Sequence, residues 1–188
     1  MPTSPGARKD VPVRTLNVLL AAIALACACA VLVVRNTSEK TERDRVDATR
    51  SALVRLDQEI KFRSATSRTA PTAEVGAKVN ARGWPETIDP KWFGKSPPLN
   101  ELAPAGSPWV EVAPPEDQAL ENPPVRIALD RHTAAFWYNP ALGVVRARVG
   151  SMTSDRRAIE LYNQINRTTI TDIVDANAAP DPASTDPQ

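Results

Sequence analysis

Ala134-Ala135-Phe136-Trp137-Tyr138-Asn139-Pro140-Ala141-Leu142-Gly143-Val144-Val145-Arg146-Ala147-Arg148-Val149 is the stretch on which the fold turns. Two runs rich in aromatic and β-branched residues flank Pro140-Ala141-Leu142-Gly143, a connection of hairpin length. Pairing Asn139 with Val144 places Phe136, Tyr138, Val145, Ala147 and Val149 on one face. Trp137, Arg146 and Arg148 then share the other. The hairpin is therefore expected to have a core side and a wetter side. Trp137, Arg146 and Arg148 form the candidate partner surface, because Trp and Arg are enriched where interfaces concentrate their binding energy. Trp137 beside Arg146 also suits an exposed cation–π pair, and plain packing on the sheet surface is the alternative use.

Upstream of the hairpin, Val125-Ile127-Leu129 alternates with Arg126-Ala128-Asp130. This predicts a further strand and an antiparallel meander over residues 125–149. Residues 66–124 form a Pro- and Trp-rich loop region. Between Trp84 and Pro124 lie ten of the 18 prolines and three of the four tryptophans. Proline removes backbone donors and fixes φ, so this part is mainly loop, with one short strand expected at 109–113. Trp84, Trp92 and Trp109 either pin that loop onto a small core or make an exposed recognition surface. Downstream, Ser154 can cap a helix running to about Asn166, with Ala158, Leu161, Tyr162 and Ile165 on its apolar side. It lies in a C-terminal helix region spanning 150–175. Ala, Pro, Asp, Ser and Thr dominate residues 176–188, which are expected to be disordered.

Residues 35–65 contain neither Pro nor Gly and are rich in helix formers. Val46, Thr49, Leu53, Leu56 and Ile60 recur at helical spacing, giving a narrow stripe with charged residues around it. The stripe spans fewer than three well-filled heptads, so packing on a small sheet is favoured over an autonomous coiled coil.

Before it, Leu16 to Val34 reads LNVLLAAIALACACAVLVV, without a charge. At about 1.5 Å per residue this run spans roughly 28 Å, near the thickness of the hydrocarbon core. Leu16, Leu20, Ile23, Leu25, Leu32 and Val34 are the candidate anchor residues toward the bilayer, with Arg14 and Arg35 at the headgroups. Cleavage as a signal peptide is the rival reading, with Ala26-Cys27-Ala28 or Ala28-Cys29-Ala30 as the site. It would leave Val31-Leu32-Val33-Val34 at or near a new terminus. Residues 1–15 are expected to be a cytoplasmic tail, placing the larger C-terminal part outside the cytoplasm. That orientation follows the usual signal-anchor arrangement, because the basic residues on the two flanks do not decide it. With no breaker before residue 65, a single helical rod of roughly 75 Å is expected.

The chain has 188 residues and a net charge of +1, with no long basic block, which argues against nucleic acid as a partner. Both cysteines, Cys27 and Cys29, lie in the apolar run, so the rest of the chain has neither a disulfide nor a thiolate metal site within itself. His132 is the one histidine, and Asp130-Arg131-His132 reads as a strand end and turn. No G-x-S-x-G and no phosphate-cradling glycine loop is present. Glu116-Asp117 reads as a solvated turn. No enzyme, cofactor or small-molecule substrate is expected. Asn36-Thr37-Ser38 and Asn166-Arg167-Thr168 match the glycosylation pattern, a match common by chance.

An apolar helix, a continuous amphipathic helix, an irregular loop and an antiparallel meander, in that order, resemble the pilin-like proteins of type IV pili and type II secretion systems. Asp47-Ala48-Thr49-Arg50-Ser51-Ala52-Leu53 resembles the part of their long helix that lies on the sheet. Gly83-Trp84-Pro85 resembles their Gly-x-Tyr/Trp-Pro turn, and Phe136 to Pro140 with Gly143-Val144-Val145 resembles a pseudopilin hairpin. Arg14-Thr15-Leu16-Asn17 stands where family members carry the peptidase-site Gly and the Glu that follows. The resemblance thus implies an uncleaved accessory member, α+β in fold, with protein partners in an envelope assembly of the inner membrane. A bitopic scaffold or division-complex subunit unrelated to pilins is the alternative.

Overall fold

The period of the apolar stripe becomes one helix, and that helix carries the core. The computed structural model describes residues 13–69, 77–152 and 154–174, with side chains from residue 37 onward except 38, 68 and 69. The chain divides into two units, residues 1–43 and 44–188. Helix α1 covers Val13–Thr69, four residues beyond the expected end at 65. Among the described residues no helix is long and apolar enough to cross a membrane. The anchor side chains Leu16, Leu20, Ile23, Leu25, Leu32 and Val34 lie outside the described residues, as does the tail from 176.

In the second unit, Val46, Thr49, Leu53, Leu56 and Ile60 are all buried, Leu56 and Ile60 completely. Val46, Leu53, Leu56 and Ile60 share one core with Phe136, Tyr138, Val145, Ala147 and Val149 of the strands and with Leu161, Tyr162 and Ile165 of a second helix. That helix, α2, spans Asp155–Asn166, and Ser154 caps it by accepting from Arg157 N. Its buried residues are Ala158, Leu161, Tyr162, Ile165 and Asn166, the four expected apolar positions plus one asparagine.

The strands are β1 (Val110–Val112), β2 (Ile127–Ala128), β3 (Phe136–Asn139), β4 (Val144–Ala147) and β5 (Val149–Gly150). β3 and β4 are antiparallel with Asn139 opposite Val144, Trp137 opposite Arg146 and Phe136 opposite Ala147, which is the register read from the sequence. The rest of the sheet is not the expected antiparallel meander. β1 runs parallel to β3, pairing Val110 with Phe136 and Val112 with Tyr138. β4 and β1 thus take both edges of β3, leaving β2 no edge of β3 to join. β2 pairs instead in parallel with β5, Ile127 with Val149. A parallel neighbour needs a long crossover, and the Pro-rich segment between β1 and β3 supplies it. The alternation expected over 125–130 fails with it: Arg126, Ile127 and Ala128 are all buried, while Leu129 is 65% exposed. Among the described residues the architecture is α+β, with two α-helices, a three-stranded mixed sheet β1-β3-β4 and a separate two-stranded parallel sheet β2-β5.

Candidate functional site

The second face of the β3–β4 hairpin carries the residues assigned to a partner surface. Trp137 is fully buried and Arg148 is 3% exposed, while Arg146 is half-buried. The three therefore do not form an exposed patch. The cause is the segment from Pro114 to Val125, which folds over this face as a strap. Its prolines donate no hydrogen bonds, yet its carbonyls still need donors once buried. The sheet provides them. Asn139 Nδ2 donates to the carbonyls of Asp117, Gln118 and Leu120 at 3.3, 3.0 and 2.8 Å. Arg146 Nε donates to Glu121 O at 3.0 Å and to Asn122 Oδ1 at 3.1 Å. Arg148 Nε reaches Val125 O at 2.9 Å, its Nη1 reaches Ala134 O at 3.1 Å, and its Nη2 lies 2.6 Å from a Glu111 carboxylate oxygen.

A buried guanidinium saturated by carbonyls and one carboxylate is a satisfied structural cation, and removing its partners would leave an uncompensated charge. Asp117, at the end of the 3-10 turn Pro115–Asp117, is held above the usual carboxylate range by burial and by Glu116 and Glu111, against a downward pull from Arg148. Tyr162 of α2 donates its hydroxyl proton to Asn122 Oδ1 at 3.1 Å. Burial pushes this phenol up, although Arg146, Arg126 and Arg148 favour its ionised form. Among the described residues Trp137 Nε1 has no acceptor. Arg55 lies over Phe93 and Arg63 over both Phe62 and Trp92, whereas Arg146 is not seen over Trp137 among the described residues.

Trp84, Trp92 and Trp109 are partly buried against the core, as expected of loop pins. Trp109 Nε1 donates to Pro98 O at 2.7 Å, and its ring meets Phe93 edge-on with centroids 5.7 Å apart. His132 is exposed in a turn closed by Asp130, whose Oδ1 accepts from His132 N, Thr133 N and Thr133 Oγ1. These bonds hold the Asp130 carboxyl below the usual range. Among the described residues no group of three or more His, Cys, Asp or Glu is placed to hold a metal ion.

Reading the sequence missed the asparagines. Asn100 is buried and donates to Ala135 O at 2.8 Å and Arg148 O at 2.7 Å, while its Oδ1 accepts from Leu102 N and Thr49 Oγ1. Thr49 holds an apolar position of the α1 stripe in order to meet this amide. Asn166 of the second sequon is also buried, with Nδ2 donating to Ala147 O and Tyr162 O. Its local sequence matches the glycosylation pattern, a match common by chance; its side chain completes a strand edge. The chain matches no family model, no curated protein and no solved structure.

Proposed function

We propose that the chain is a non-enzymatic, pilin-like component of a secretion- or pilus-type envelope assembly. The run Leu16–Val34 anchors it once in the inner membrane, with the unit from residue 44 outside the cytoplasm. One observation carries this reading: α1 runs without a break from Val13 to Thr69, and its stripe from Val46 to Ile60 belongs to the same core as the β3–β4 hairpin. A long N-terminal helix whose second half lies on a small sheet is the arrangement that the pilin-like resemblance implies. A bitopic scaffold with a detached coiled coil would instead keep its stripe for another helix, and here the stripe is filled by the chain's own sheet and α2. The sheet's mixed order departs from the expected meander, so the likeness rests on the helix and the hairpin.

Carbonate extraction of membranes expressing the full chain tests the anchor. The protein is expected in the pellet with intact mass, and Ala24→Arg should release it, since a charge at mid-bilayer costs about 2.5–3.5 kcal/mol on insertion scales. A mature terminus between residues 27 and 31 would sink the anchor. Crosslinking in membranes of the native host tests the assembly, with other proteins bearing an N-terminal apolar helix as the expected partners. Recovery with division-complex proteins alone would favour the scaffold.

A further inference from the structure

β4 is paired with β3 on one side, and among the described residues no strand covers its other edge. Arg148 N donates to Ala135 O at 3.0 Å, which sets the parity of the antiparallel ladder. Val144 and Arg146 turn their backbone groups toward β3; Val145 and Ala147 turn theirs away. At Ala147 one side chain takes the outward pair. Ala147 N donates to Asn166 Oδ1 at 2.8 Å and Asn166 Nδ2 donates to Ala147 O at 2.9 Å. A carboxamide thereby imitates one residue of a neighbouring strand.

Two residues along the same edge, Val145 lines a groove of about 400 Å3. Val145 is 4% exposed, and its carbonyl accepts one long bond, from Arg146 Nη1 at 3.5 Å. Leu53, Val54, Trp84 and Ile165 give it apolar walls, and Arg50, Lys61, Arg146 and Arg167 line it with only Asp57 as a carboxylate. Lys61 is paired with Asp57 at 2.6 Å and Arg50 with Asp47 at 3.3 Å. The bonds of Arg146 run to carbonyl and amide oxygens, and among the described residues it makes no ion pair. Arg167 is exposed at the C-cap of α2 in a left-handed conformation, φ 54°, where glycine is the unstrained choice. The groove therefore combines a strand edge, an apolar wall and an excess of positive charge.

We propose that this groove takes an extended acidic segment of a partner protein, added to β4 as a short strand at Val145, its backbone N–H replacing Arg146 Nη1 at the Val145 carbonyl. One aliphatic side chain of the segment packs against Leu53, Val54 and Trp84, and carboxylates beside it meet Arg146 and Arg167. The edge is closed at one end by Asn166 and at the other by the turn at Gly143, so the added strand is about three residues long. The inference depends on neither the membrane anchor nor the pilin-like reading.

The test uses the full chain in detergent micelles and a fluorescein-labelled peptide, Asp-Val-Thr-Val-Asp, followed by fluorescence polarisation. Saturable binding is expected, weakened tenfold or more by N-methylation of the central threonine, which removes its backbone donor. Replacing both aspartates of the peptide by lysine should weaken it similarly. Arg167→Glu and Val54→Trp alter exposed positions, so both variants should keep the wild-type near-UV circular dichroism while binding at least tenfold more weakly. Equal binding of the N-methylated or lysine peptide, or no saturation by the parent peptide, would overturn the proposal. Tighter binding after removal of residues 175–188 would overturn the partner assignment, because the chain's own acidic tail would then be the occupant.

Discussion

The indole of Trp84 fills the space in which a side chain on Gly143 would begin: a Cβ built there falls 2.3 Å from ring atoms Cδ2 and Cε2. Gly143 has φ +67°, so the hairpin turn already favours glycine before the ring is considered. The contact joins two segments far apart in sequence. Asn80 holds them together, with Oδ1 accepting from Arg82 N and Trp84 N and Nδ2 donating to Pro140 O at 2.6 Å. Tyr138 completes the clamp by donating its hydroxyl proton to Pro85 O at 2.8 Å.

Gly143→Ala should therefore destabilise the protein twice over. A left-handed residue with a Cβ costs about 1–2 kcal/mol, and overpacking against an aromatic ring adds about 1–3 kcal/mol. Chemical denaturation of the full chain should show a loss in that combined range. A loss under 1 kcal/mol would mean that Trp84 leaves the turn easily.

Leu56 is fully buried and Phe62, on the same helix, is 57% exposed. Leu56→Ala should cost about 2–5 kcal/mol, as a core truncation that leaves a cavity. Phe62→Ala should stay within about 0.5 kcal/mol, as exposed substitutions usually do. Similar midpoints for the two variants would show that the α1 stripe is not what holds the sheet.

Trp137→Ala should behave as a core deletion despite lying on the cationic face, with a loss of about 3–5 kcal/mol. The strap from Pro114 to Val125 should loosen with it, which limited proteolysis around Gln118 and Glu121 would report. An unaffected melt would mean that the strap does not seal that face.

Asp117 makes the fold respond to acid in an unusual sense. Its carboxyl lies above the ordinary 3.8 because burial disfavours the charged form. The native state therefore holds its proton more tightly than the unfolded chain does, and ionisation above the folded pKa works against folding. On acidification, this group's contribution to stability should rise as pH falls through the folded pKa, and level off below 3.8. Asp117→Asn should be more stable than the parent near neutrality, with the difference shrinking in that window. Asp130 acts in the opposite direction: its lowered carboxyl favours folding above the ordinary value, and that support is lost as pH falls through the folded pKa. A wild-type-minus-variant difference for Asp117→Asn that does not change with pH would contradict the assignment.

The sequence by itself determined the elements whose partners are close in the chain. The stripe Val46 to Ile60 was legible because helical period depends only on which residues are apolar. The register of Asn139 against Val144 was legible because a short connection leaves few ways to pair two alternating runs. The cap at Ser154 and the buried face of α2 follow from the same local rules. Tertiary structure alone decided which strands fill which edges: β1 reaches β3 in parallel because the Pro-rich crossover carries the chain back over the sheet, a path that no local pattern encodes. It also decided that Trp137 and Arg148 turn toward protein rather than water, and that Arg146 does so only in part. Alternation tells which residues share a face, not what covers that face. An arginine in sequence looks wet because water is its default partner, whereas a proline-rich strap brings carbonyls that guanidinium and carboxamide groups can satisfy equally well. The hydrogen-bonding roles of Asn100, Asn139 and Asn166 were not legible for the same reason: an asparagine's role is set by the backbone groups that folding brings close to its amide.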